Sequence, residues 1–148
     1  MSFPYGLHLA AVEVDVGTGG IRIDRYAVAY DIGRAINPVI VRGQIAGGFA
    51  QGLGGALLEE FAFDANGQPL AASFMDYLLP TSEEVPDIEV LITEDAPSPI
   101  NPLGVKGAGE GGTAAVGGAI ANAVADALGV EVTQLPLSPK RITELASA

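Results

Sequence analysis

Six glycines fall within one apolar-periodic run, "PVIVRGQIAGGFAQGLGGALLEEF" from Pro38 to Phe61, and no other segment restricts the fold as much. Asn37 can cap a helix here, and Pro38 can take its first turn, where proline's missing N–H would lack a partner anyway. The spacing predicts a helix over 38–61. Gly43, Gly47, Gly48, Gly52, Gly54 and Gly55 each cost ~1 kcal/mol relative to alanine, so intrinsic propensity opposes this helix by roughly 5 kcal/mol. It forms only if packing from outside offsets that penalty.

Two stripes follow from helical spacing. Ile45, Phe49, Leu53 and Leu57 recur at i, i+4 and make a packing face. Gln44, Gly48, Gln51 and Gly55 make another, on which backbone is bare and two amides point the same way. Bare backbone admits either a second helix at close range or a ligand. The two glutamines favour a bulky polar ligand.

The rest of the chain reads as an α/β (α+β) fold, a single domain over 1–148. "LHLAAVEVDV" and "IRIDRYAVAY", separated by "GTGG", form a hairpin with Ala10, Val12, Val14 and Val16 on one face. His8 shares their parity and reads as a packed or edge histidine rather than a metal ligand, since the chain has no second histidine. Asn66-Gly67 marks a second hairpin. "DIEVLITE" reads as a strand, and "DAPSPINPLG" is a loop by its prolines. A second helix carries Val116, Ile120, Val124 and Leu128 and stops at Gly129, and a short terminal helix starts at Ser138-Pro139.

Charge narrows the function classes. Asp and Glu number 18 against 7 Lys and Arg, with no basic cluster to track a phosphate backbone, so nucleic acid is not an expected partner. Cysteine is absent, which removes disulfides, thiolate nucleophiles and cysteinyl metal sites. The uncharged runs Gly43 to Leu58 and Gly111 to Ala125 are too short for a membrane span. With no basic region ahead of Arg22, a cytoplasmic location is the expectation.

The chemistry concentrates in "GVKGAGEGGT", where Glu110 sits among glycines ahead of a helix. Three readings stand. Gly107, Gly109 and Gly112 match G-x-G-x-x-G, but a proline-rich loop rather than a strand precedes them, and Glu110 would face a pyrophosphate with the wrong sign. Glu110 can also serve structurally, stabilising the following helix through its macrodipole. Thirdly, it can be a general base on glycine-rich backbone that lets substrate or cofactor approach. Burial would raise its pKa and a helix N-terminus would lower it.

"GVKGAGEGGT" and "GQIAGGFAQGLGGALLEE", with the "FPYG" opening and the "DIGRAINP" turn, closely resemble the C-terminal part of the molybdenum-binding large subunit of the xanthine oxidase family. That family includes xanthine dehydrogenases, aldehyde oxidoreductases and aerobic carbon monoxide dehydrogenases. The likeness covers essentially the whole chain, in order. It implies that Glu110 is the active-site base, which takes the proton from a hydroxyl on molybdenum. It further implies that Gln44 contacts the pterin, with Gln51 one heptad on, and that the cofactor passes close to the backbone at Gly48 and Gly109. No direct protein ligand to the metal is implied. The cofactor implied is molybdopterin with molybdenum, in the cytosine dinucleotide form, and the substrate an aldehyde or N-heterocycle. Lys106 has no role beyond pairing with an anion.

The resemblance also implies partners. A Gly-Gly-Phe-Gly type segment and an arginine-bearing loop that complete the family's pocket are not in this sequence, and iron-sulfur clusters and FAD would belong to partner chains. The chain is then a piece of a split hydroxylase, a separately made domain, or a non-catalytic assembly module left from that fold. As a piece of a larger subunit it would present an apolar face to its neighbours.

Overall fold

The computed structural model describes residues 2–147. Strands β1 (Tyr5–Asp15) and β2 (Gly20–Asp31) form the expected antiparallel hairpin. His8, Ala10, Val12 and Val14 turn inward along β1, whereas Val16 lies past the strand end and is exposed. In β2 the inward parity changes, from Ile21 and Ile23 to Tyr26, Val28 and Tyr30. A register shift opposite Ala11 and Val12 causes the change: Ala11 pairs with Arg25 and Val12 with Ile23, leaving Asp24 as the extra residue of a bulge. One inserted residue keeps both sets of apolar side chains on the core face.

Helix α1 (Pro38–Leu57) follows, with the Asn37 side chain accepting from the N–H groups of Val39 and Ile40. It ends four residues before the expected Phe61. The Gly54 carbonyl accepts from both Leu58 and Glu59, and the Glu59 carboxylate folds back against Gly54 and accepts from the Tyr77 hydroxyl at 2.7 Å. Ile45, Phe49 and Leu53 are fully buried, with Leu57 partly so. Burying three such side chains contributes roughly 5–9 kcal/mol. That offsets the glycine penalty.

α1 crosses over to β3 (Glu89–Thr93), which pairs parallel with β2, giving the order β1-β2-β3. The hairpin expected at Asn66-Gly67 is only a turn with the single bridge Phe63 to Pro69. Pro69 has no N–H to extend a ladder, and the Asp64 carboxylate takes the N–H groups of Asn66 and Gln68.

Beyond the loop come α2 (Gly111–Ala114), α3 (Val116–Leu128) and α4 (Pro139–Ala146). Gly129 closes α3 at φ 68°, and Ser138 accepts from the Arg141 N–H at the start of α4, as expected. Tyr26, Phe49, Leu53, Ile120 and Ile142 belong to one buried cluster joining the sheet to α1, α3 and α4. Helices therefore cover one sheet face. The other face carries Leu7, Leu9 and Leu91 more than half exposed, in register with Ala27 and Ala29 between them.

Candidate functional site

The segment leading to Glu110 is fastened to the end of β2. Gly33 and Gly104 adopt φ of 73° and 71°, and their backbones lie so close that a Cβ on Gly33 would overlap the Gly104 carbonyl oxygen. The Lys106 N–H donates to the Ile32 carbonyl at 2.9 Å. The Lys106 ammonium, almost wholly buried, donates to Asp31 Oδ1 at 2.8 Å and lies 4.7 Å from the centre of the Tyr5 ring.

Asp31 is the hub of this region. Its Oδ1 also accepts from the Gly33 N–H at 3.0 Å, while Oδ2 accepts from the Thr93 hydroxyl and from the N–H groups of Asp95 and Ala96. Burial pushes the carboxyl up, but the Lys106 ammonium, the Gly33 and Ala96 N–H groups and the Thr93 hydroxyl outweigh it and hold it far below the usual carboxylate range. In the sequence Asp31 is marked only by local spacing. The Asp-x-Gly spacing of an Asx turn was the available signal.

The glycines around Glu110 divide into two kinds. A Cβ on Gly111 would enter the Tyr30 ring, and one on Gly112 would strike the Ile45 backbone. Gly107 and Gly109 face open space, with nothing within 4 Å of a Cβ placed there. Glu110 itself is exposed at the start of α2, its carbonyl accepting from Thr113 and Ala114 while its side chain makes no capping bond. Burial, and then the Glu110 charge, raise the pKa of Tyr30.

The dinucleotide-binding reading of the motif does not find its context, and the helix-dipole reading keeps only a weak one. β3 ends at Thr93, well before Gly107, so no strand leads directly into G-x-G-x-x-G. α2 is a single turn, too short to sum a strong dipole at Glu110.

On α1, Gln44 and Gln51 are both exposed, one turn to either side of Gly48 on the same stripe. Gly48 is buried. A Cβ there would come within 3.0 Å of the Gly112 and Thr113 backbone, and the Gly48 carbonyl accepts from the Thr113 hydroxyl at 2.9 Å. The bare backbone at Gly48 thus seats the Glu110 turn against α1, which is the close-packing alternative. Gly43, Gly47 and Gly55 are open. A groove of about 350 Å³ lies elsewhere, lined by Ile21, Ile23, Leu53, Leu57, Pro86 and Leu137 among others, and includes none of the expected site residues. None of the described helices is long and apolar enough to cross a membrane.

His8, a packing residue by its strand parity, is the other participant. Its Nε2 lies 2.9 Å from the Gly111 carbonyl oxygen and its Nδ1 2.8 Å from the Tyr26 hydroxyl. Parity placed it on the inner face of β1; only the fold brings that face to Gly111.

Similarity to known proteins agrees with this fold. The molybdopterin cofactor-binding domain family matches residues 1–86. The gamma subunit of the 6-hydroxypseudooxynicotine dehydrogenase complex of Paenarthrobacter nicotinovorans is 51% identical over 144 residues, covering 96% of this chain and 18% of that protein. Among solved structures, a Cu,Mo-CO dehydrogenase superposes with a TM-score of 0.92 at 35% identity, covering 97% of this chain and 18% of that one. Quinoline 2-oxidoreductase from Pseudomonas putida 86 gives 0.89 at 41% identity, covering 96% and 18%. The chain therefore spans less than a fifth of the length of these relatives. Matched over more than half its length, it belongs to the molybdopterin cofactor-binding domain family and corresponds to the C-terminal part of a molybdenum hydroxylase large subunit.

Proposed function

We propose that this chain supplies the general base and part of the cofactor pocket of a molybdenum hydroxylase acting on an aldehyde or N-heterocycle with oxygen from water. The observation that carries the reading is Glu110: an exposed carboxylate with no capping role, on backbone fixed to β2, β1 and α1, with open glycines beside it. A base needs that combination of a free carboxylate and fixed backbone.

The residues present fit a pterin. Gln44 and Gln51 offer amides that both donate and accept, as the mixed edge of a pterin requires. Open backbone at Gly43, Gly47 and Gly109 leaves room for close approach that a side chain would fill. The cofactor, in the cytosine dinucleotide form, would supply two-electron oxidation and oxygen transfer when bound. Glu110 would accept the proton released in that reaction at a carboxylate oxygen, and Gln44 and Gln51 would orient the pterin.

The relatives' names include a subunit of a dehydrogenase complex. By that analogy this chain would assemble with the rest of a large subunit and with chains carrying iron-sulfur clusters and FAD. Leu7, Leu9 and Leu91 on the uncovered sheet face support such association. Replacing Glu110 with Gln in the assembled enzyme should lower turnover by about two to four orders of magnitude while bound molybdenum stays constant. Turnover within a few-fold of wild type would remove Glu110 from this role.

A further inference from the structure

We propose that His8 is a positioning residue for Glu110: held by Tyr26 as the Nε2–H tautomer, it fixes the Gly111 carbonyl and with it the turn that carries the carboxylate. The functional meaning of this inference rests on Glu110 being the base. The hydrogen bonding does not.

A carbonyl oxygen only accepts, so the 2.9 Å contact with Gly111 requires a hydrogen on His8 Nε2. In a neutral ring Nδ1 is then the acceptor, and the Tyr26 hydroxyl at 2.8 Å must donate to it. Tyr26 is itself almost fully buried, with its ring 4.4 Å from that of Phe49. The imidazole is consequently oriented by a core residue and not by solvent. The chain Tyr26 O–H to His8 Nδ1, His8 Nε2–H to Gly111 carbonyl, has one direction throughout.

Its target is adjacent to Glu110. The Gly111 carbonyl is the first of α2, and the N–H of Ala115 turns instead to the Thr113 carbonyl, ending the helix after a single turn. Four residues cannot hold themselves in place by helical bonding alone. The Lys106 bonds to Ile32 and Asp31 fix the approach to Glu110 from the N-terminal side. His8 fixes the exit. Between them the Glu110 side chain makes no capping bond, so the backbone held at both ends fixes the point from which that side chain leaves the turn.

The sequence contains a single histidine, so the test is unambiguous in this chain. Long-range proton–nitrogen NMR at neutral pH should show one imidazole with Nε2 protonated and Nδ1 bare. An Nδ1–H ring, or averaging between tautomers, would overturn the assignment. Hydrogen exchange then reads the positioning. His8→Leu should speed exchange at the Thr113 and Ala114 amides by about five- to ten-fold, the loss of one neutral hydrogen bond, with α3 unchanged. His8→Gln, whose Nε2 reaches equally far and still donates, should restore most of the protection. No change in either variant, or an equal loss throughout the chain, would refute positioning. If His8→Leu does not fold, the tautomer measurement on the unaltered chain and the His8→Gln comparison still decide. In the assembled hydroxylase His8→Leu should lower kcat with KM little changed. Turnover surviving Glu110→Gln would instead strike the base assignment, an outcome separate from the NMR result.

Discussion

Replacing Asp31 by asparagine removes one charge and one acceptor from a carboxylate that receives five hydrogen bonds, and its consequences can be worked through atom by atom. Whichever side-chain oxygen becomes NH₂, it faces donors: Gly33 N–H and the Lys106 ammonium at Oδ1, or the Thr93 hydroxyl and the Asp95 and Ala96 N–H groups at Oδ2. The Lys106 ammonium, 5% exposed, also loses its counter-charge. Breaking a buried pair from one side costs about 3–5 kcal/mol, and Asp31→Asn belongs in that range. Lys106→Met leaves the carboxylate with four donors and should cost only about 1.5–3 kcal/mol, the worth of one charge-assisted bond. The double variant should be more stable than Asp31→Asn alone, because no ammonium is left unpaired. Urea unfolding with linear extrapolation measures all three. If Asp31→Asn costs less than about 1 kcal/mol, or less than Lys106→Met, the network does not carry that stability.

Other perturbations have equally definite signs. Gly48→Ala pushes a methyl to 3.0 Å from Gly112 and Thr113 backbone and should destabilise by about 1–3 kcal/mol, whereas Gly47→Ala, with open space around it, should stabilise the isolated chain by up to about 1 kcal/mol. Equal effects in thermal unfolding would contradict the packing described. Burial lowers the His8 pKa against a smaller opposing effect of the Gly111 bond, so between the folded value and about 6.5 the unfolded chain binds more protons. Stability should therefore fall as pH drops below about 6.5, and less steeply in His8→Gln, with Tyr26, Tyr30 and Glu110 the ionisable neighbours of that turn; parallel falls would exclude His8. Asp31, depressed in the folded state, contributes stability that is present above about pH 4 and lost only on further acidification. Urea midpoints below that pH should show a further drop in the wild type that Asp31→Asn lacks.

Local signals set much of this in advance. Alternation in β1 and β2, the Asn37 cap, the Val116–Ile120–Val124 spacing and Gly129 each act within a few residues, so the hairpin and the helices were legible from the chain alone. The stripe of Gln44, Gly48 and Gln51 and the singular Glu110 were legible too, because helical geometry and residue chemistry do not depend on the fold. Which partner each surface meets was not. Gly48 reads equally well as a ligand contact or a packing site until Gly112 is seen against it. The hairpin at Asn66-Gly67 fails because Asp64 captures the turn's N–H groups, a competition between local hydrogen bonds that turn residues alone do not reveal.

Asp31 with Lys106, and His8 with Gly111, lie 75 and 103 residues apart in sequence. A single sequence encodes no signal for such pairs, since their energy exists only once the β2-α1-β3 crossover has brought the strand ends and the Glu110 turn together. The sequence by itself determined the carboxylate and the glycines around it. Tertiary structure decided what holds that carboxylate, because the desolvation that strengthens a buried hydrogen bond or ion pair is a property of the packed core.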